Sequence, residues 1–380
     1  MTTTISTRFL LLAALSAASA CASADITIGV SLPLTGPASG LGIPMQNAIK
    51  LWPATIGGER LKVIVLDDAT DPSKGVQNAR KLLSEDKVDI LLGSAATPVA
   101  IAMADAAAEA MTVQLALSPI PLPPGKDAWT FRIPHSNDIM AEAVTRHMVK
   151  AGVKTVGVLA YTDAYGESWI GALNRRFADR GIKMVAPERF ARTDTGVTGQ
   201  AIKLVAANPD AIVVVASGSG AAMPQLALAE RGYKGKIYQT HGAATRDLMR
   251  LGGKAVDGGY VSSATVVVAD QLADTNAFKP EGMRFVTAYE KVYGPNTRNA
   301  LSAHGWDGFL ILDAIVPVAR KKAAPGTAEF RAALREALET TKGIVVTGGV
   351  LHYSPDDHWG YKPDVGIIMK IVDGNWLLEN

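Results

Sequence analysis

The chain is almost without cysteine: one among 380 residues, Cys21. This excludes a disulfide scaffold and argues against a cysteine-ligated metal or a thiol nucleophile. An excess of charge of one sign is missing too. With 38 Lys and Arg against 36 Asp and Glu the formal net charge is +2, and no basic run points to nucleic acid or an anionic membrane surface. Long hydrophobic runs are absent, since no segment reaches the length that spans a bilayer. The chain has no Gly-Lys-Ser/Thr phosphate loop and no Gly-x-Ser-x-Gly nucleophile elbow. "SGSGAAM" offers Gly218 and Gly220 but no third glycine, and Glu230 follows too closely to serve a dinucleotide's ribose.

What is present begins with mass for a core. Apolar residues at 48% support sizeable cores, and charged residues at 19% argue against disorder. The length suits two ordinary domains or one large one. The N-terminus carries one positive charge (Arg8), an apolar run from Phe9 to Leu15, and the small residues Ala22, Ser23 and Ala24. Residues 1–24 therefore read as a secretory signal peptide cut before Asp25. The rival reading, a lipoprotein anchor on Cys21, is weaker because Ala18 stands where a leucine-like residue is usual. Cleavage before Asp25 would leave an exported chain without a thiol, suited to an oxidising space.

From Asp25 onward, short β-rich runs alternate with helix-periodic segments. "DITIGVSLPL", "LKVIVLDD", "VDILLGS" and "TVQLALS" read as strands buried on both faces, as in a parallel sheet. Between them Val76, Ala79, Leu82 and Leu83 share a helical face. The pattern restarts with "TVGVLAY", "GIKMVAPERF", "DAIVVVAS", "KIYQTH" and "GGYVSSA", and Ile170, Leu173 and Phe177 share a helix face between the first two. Two successive sets predict an α/β protein with two doubly wound, Rossmann-like lobes. The break falls near Phe131 to Asp138. "HYSPDDHWG" gathers His352, Asp356, Asp357 and His358, but no cysteine or helical His pair supports a metal there, and an Asx turn is the better reading.

The chemistry gathers at strand ends, where open α/β sheets bind ligands. "PLTGPASGLGIPM" follows the first strand, "GSAAT" with Ser94 and Thr97 opens a helix, and "LALSPIP" carries Ser118. In the second set the ends are "YTDAYGES", "ASGSG" and "QTHGAATRD". Ser94 and Thr97 read either as helix caps or, with the free N–H groups of that helix, as an anion seat. None of these ends pairs a nucleophile with a base.

The order "IGVSLPLTGPASGLG", "LLGSAAT", "YGESW", "VVVASGSG", "RGYKGKIYQTHGAA", "GGYVSSA", "HGWDGFLILDAI" and "SPDDHWG" resembles the periplasmic branched-chain-amino-acid-type binding proteins of ABC importers, over essentially the whole chain after residue 24. The resemblance implies the type I periplasmic binding protein fold, with two lobes joined by three hinge crossings. The expected division is 25–134 with 272–352, and 135–271 with 353–380. It also implies lobe closure on a small ligand and docking on an ABC permease in the inner membrane.

Carried over by position, Ser94 matches the serine that holds the ligand carboxylate, and Ser118 lies close to a second hydroxyl contact. Ala95 and Leu117 beside them complete this half. Leu41 stands where an aromatic residue is frequent, Tyr165 matches the Tyr-Gly tyrosine, and Ser217 and Gly218 replace an aromatic contact. His241 falls near the acid that binds the ligand's amine, with His135 as a further donor. Two features depart from the pattern: no acid precedes Asp247 near "THGAA", and the first lobe's disulfide is absent. The expectation is a monomeric periplasmic solute-binding protein for a small carboxylate, with an aromatic or α-keto acid ahead of a branched-chain amino acid. No cofactor, metal, nucleic acid or catalysis is expected. A sensory subunit of the same fold is the alternative, and a secreted enzyme a distant third.

Overall fold

The computed structural model describes residues 25–379. The expected signal peptide and Cys21 lie outside the described residues. The first sheet is built from β1 (Ile26–Leu32), β2 (Thr55–Ile56), β3 (Glu59–Asp67), β4 (Ile90–Gly93), β5 (Val113–Ala116) and β6 (Thr130–Arg132), in the order β2-β3-β1-β4-β5-β6. All its pairs are parallel except β2 with β3. Helices α1 (Ser39–Ile49), α2 (Pro72–Ser84) and α3 (Thr97–Glu109) connect its strands. Ile26, Ile28, Val30 and Leu32 are fully buried, as are Ile90, Leu91 and Leu92, because helices cover the sheet on both faces.

The second sheet starts after α4 (Asn137–Lys150). It holds β7 (Thr155–Tyr161), β8 (Lys183–Phe190), β9 (Ala211–Val215), β10 (Lys236–Gln239) and β11 (Tyr260–Ser263), with α5 (Ala164–Ala178), α6 (Thr198–Ala207), α7 (Ala222–Glu230) and α8 (Arg246–Gly252) between them. The chain then returns to the first lobe. There α9 (Lys279–Tyr293) donates its Tyr293 hydroxyl to Asn47 O, and α10 (Ala300–Arg320) packs along α1, with Trp52 Nε1 donating to Gly305 O at 3.0 Å. After α11 (Ala328–Thr340) and the hairpin of β12 (Ile344–Val346) and β13 (Gly349–Leu351), a last crossing delivers β14 (Ile367–Val372) and β15 (Asn375–Glu379) to the second sheet. Its order is β15-β14-β11-β10-β9-β7-β8, parallel from β8 to β11 and antiparallel beyond.

The first and last crossings touch one another. Tyr353 donates its hydroxyl to Arg132 O at 2.7 Å, and Tyr361 donates to Ile133 O at 3.0 Å. His135, on the first crossing, stacks on Tyr361 with ring centroids 4.0 Å apart and lies 3.2 Å from Gly348 O through Nε2. Asp357 Oδ1 accepts from Trp359 N and Gly360 N, the Asx turn expected of "HYSPDDHWG".

Candidate ligand-binding site

In each sheet the strand order reverses next to its first strand, between β1 and β4 and between β7 and β9. The C-terminal ends of strands at such points leave a crevice that helices do not fill. The two crevices face each other across a cleft of about 360 Å³ that is partly open to solvent.

On the first lobe's side the wall is largely apolar: Leu41, Leu117, Pro119 and Leu301, with Ala95, Thr97, Ser118 and His304. Thr97 is the first residue of α3, whose N-cap is Ala96 and which has no side-chain cap. Neither Ser94 nor Thr97 is therefore the N-cap. The positive end of a 13-residue helix meets the cavity at Thr97. Ser118 donates its hydroxyl to Ser94 O at 3.0 Å.

The second lobe's side is different in kind. Asp163 caps α5, its Oδ1 accepting from Tyr165 N at 2.9 Å and Gly166 N at 3.2 Å, while its Oδ2 accepts from Arg192 Nε at 2.5 Å. Arg192 Nη1 donates to Ser217 Oγ at 2.9 Å, and its guanidinium lies 4.1 Å from the Tyr161 ring centroid. A carboxylate, a hydroxyl and an aromatic face thus fix one guanidinium at the wall. Tyr165 donates its hydroxyl to Thr240 Oγ1 at 2.9 Å, and burial pushes its pKa up to about 12. His241 sits beside Tyr165 and Trp169, with ring centroids 6.0 and 5.8 Å away. Burial, reinforced by nearby His135, pulls His241 down to about 3, so its imidazole is neutral near pH 7. His304 is likewise held well below its ordinary value by burial, with His135 and His241 adding to the effect.

Of the residues expected from sequence, Leu41, Ala95, Leu117, Ser118, Tyr165, Ser217 and His241 line this cavity. Three stand behind it. Ser94 is fully buried, its Oγ accepting from Ala96 N at 3.2 Å and its hydroxyl bonded to the Asp68 carboxyl. His135 belongs to the hinge, where burial lowers its pKa to about 4. Gly218 has φ +54°, and a methyl placed on it would meet Leu41 Cδ2 at 3.5 Å, so it seats one lobe against the other. Thr97, read from sequence as part of a helix cap or an anion seat, also lines the wall, while sequence reasoning missed Pro134, Arg192, Gly242, Leu301 and His304. Arg192 carries the same strand-end signal as the other wall residues, standing two residues beyond the end of β8.

Two α/β lobes, wound in parallel and closed over a lined cleft, define a two-lobed binding protein of type I periplasmic architecture. The periplasmic binding protein family model matches residues 25–363. The chain belongs to that family, in its branched-chain-amino-acid-type branch. Leu/Ile/Val-binding protein homolog 7 of Brucella abortus (strain 2308) is 25% identical over 354 residues, 87% of each chain. An extracellular ligand-binding receptor of Rhodopseudomonas palustris HaA2 is 43% identical with a TM-score of 0.92, covering 94% of this chain and 100% of that one. A solute-binding protein of an ABC transporter from R. palustris, solved in complex with benzoate, has the same fold at 19% identity and TM-score 0.77, covering 93% and 95%. Among the described residues no helix is long and apolar enough to cross a membrane.

Proposed function

We propose that this protein captures a small carboxylate lacking an α-ammonium group, without transforming it, and delivers it to an ABC permease from the periplasm. The observation that carries this reading is the charge on the cleft wall. Arg192 is there, the α3 N-terminus is there, and none of the residues lining the cavity is Asp or Glu. A carboxylate finds a guanidinium and a helix dipole of the matching sign. An ammonium would be buried beside a cation without an anionic partner, which costs several kcal/mol. Asp163, the acid that holds Arg192 at the wall, has both oxygens occupied by the helix cap and Arg192.

Closure is the working motion, with ligand contacts in both lobes favouring the closed form. The moving bodies are 25–134 with 272–352 and 135–271 with 353–380, after removal of residues 1–24. Leu41, Ala95, Leu117, Ser118, Tyr165, Ser217 and His241 contact the ligand in this reading, with Arg192 as its charge partner. Catalysis has no support, because the wall holds no nucleophile beside a base. Benzoate is the natural first probe, since a protein of this fold accommodates it. Calorimetry comparing leucine, 4-methyl-2-oxopentanoate, benzoate and phenylglyoxylate tests the reading. Leucine is expected to bind at least ~100-fold more weakly than 4-methyl-2-oxopentanoate, about 2.7 kcal/mol. Leucine binding tightest would overturn it.

A further inference from the structure

Two buried ring nitrogens belong to residues of the cleft wall and have no partner. The Ser118 hydroxyl donates to Ser94 O, the Tyr165 hydroxyl donates to Thr240 Oγ1, and Ser217 Oγ accepts from Arg192 Nη1. His241 and His304 are different. Both line the cavity, each is only 5% exposed, and in each the Nδ1 is buried with no hydrogen-bond partner. They come from opposite lobes: His241 follows β10, and His304 is in the first turns of α10. A buried polar atom left unpaired costs about 1–3 kcal/mol, and the two rings that carry such atoms line one cavity, where an occupant can hydrogen-bond the imidazoles.

We propose that His241 and His304 form a polar subsite, distinct from the Arg192 end, that takes an uncharged oxygen substituent of the ligand. The preferred ligand is then a hydroxy or oxo acid rather than a plain carboxylic acid. The chemistry selects this class. Both imidazoles are neutral, so each presents one donor nitrogen and one acceptor nitrogen, set by its tautomer. A hydroxyl gives and accepts and suits one ring as acceptor and the other as donor; a keto oxygen suits two donors. A second carboxylate would meet no cation among these two rings, and an ammonium would meet no anion. Because the rings belong to different lobes, an oxygen held by both also ties closure to the presence of that group. A site built to hydrogen-bond an oxygen discriminates strongly against the analogue lacking it.

This assignment rests on the carboxylate reading, and the experiment separates the two. Calorimetry on the mature protein would compare 4-methylpentanoate with its 2-hydroxy and 2-oxo forms, and benzoate with 3- and 4-hydroxybenzoate. At least one oxygen-bearing acid is expected to bind tenfold or more tighter than its parent. His304→Phe and His241→Phe should each reduce that preference to threefold or less. His304→Gln, which keeps a hydrogen-bonding side chain, should restore part of it. Thermal melting shows whether each variant folds. If a Phe variant does not fold, the wild-type preference together with the Gln variant decides. Parent acids that bind as well as all their oxygenated forms, or a preference that survives both Phe variants, would overturn the subsite alone. Binding of none of these acids would overturn the carboxylate reading as well.

Discussion

The two walls of the cleft are built from the same kind of fold and present different chemistry. The first lobe offers apolar side chains, an uncapped helix end and serines already engaged with its own backbone. The second offers a guanidinium fixed by Asp163, Ser217 and Tyr161, with a tyrosine and a neutral histidine beside it. The strand ends of both lobes were rich in small and hydroxyl residues, and hydroxyls alone did not reveal which side carries charge. The lesson is that a hydroxyl near a cleft counts as a ligand contact only after its internal partners are known. Ser94 and Ser118 show this on one side, and Ser217 on the other, where the hydroxyl steadies Arg192.

The comparison breaks most visibly at Arg192. Arg192→Gln removes the only Lys or Arg lining the cavity among the described residues and takes away the ion pair of Asp163. Carboxylate affinity should fall by about 3 kcal/mol, more than 100-fold, while Ser118→Ala in the opposite wall costs less than tenfold. Titration calorimetry with the tightest acid found reads both, and equal losses would mean that the lobes share the charge recognition.

Protonation sharpens the contrast next. Asp307 on α10 accepts from Thr347 N at 2.8 Å and from Thr347 Oγ1 at 3.0 Å, and burial raises it to about 7. Its folded pKa lies above its ordinary 3.8, so it adds stability that is complete below about pH 4 and lost as the pH rises through 7. The histidines have the opposite sign. His135 and His241 are held at about 4 and 3, so their contribution is present above about pH 6.5 and lost as the pH falls toward those values. Asp307→Asn should therefore gain stability relative to wild type as the pH goes from 5 to 8, by on the order of 2 kcal/mol. Thermal melts across that range check it, and a difference that does not change with pH would show that Asp307 is already ionised in the folded protein.

The smallest effect is expected at Ser94. Ser94→Ala removes the acceptor of Ala96 N and the hydroxyl bonded to Asp68, so it should cost about 1 kcal/mol of stability. Ligand affinity should change no more than about fivefold, about 1 kcal/mol. Chemical denaturation with parallel calorimetry separates the two, and a large affinity loss without a stability loss would return Ser94 to the ligand.

The alternation of apolar strands and amphipathic helices made the two-lobed α/β architecture legible, because a parallel sheet covered on both faces needs unbroken apolar runs. "AIVVV" at Ala211–Val215 is fully buried, as its composition implies. Strand ends pointed to Tyr165, Ser217 and His241 for the same reason, since crevices form there. The rest depended on packing between segments distant in sequence. Leu301 and His304 reach the wall because α10 lies along α1, and α10 is apolar on nearly all sides, which hides the face it turns to the cleft. His135 could belong to the cleft or the hinge by sequence position alone; the stack on Tyr361, 226 residues away, places it in the hinge.

The hairpin of β14 and β15 carries a consequence for how the chain becomes a protein. It covers the outer edge of β11, whose own residues end at Ser263, yet it is not made until Ile367–Glu379. Three first-lobe helices intervene. Until those last residues emerge, the second sheet presents a bare strand edge, open to pairing with another chain. Neither lobe is therefore a unit that synthesis can finish early. Each waits on segments the other has interrupted, and a nascent chain gains by remaining unfolded until nearly all of it has been made.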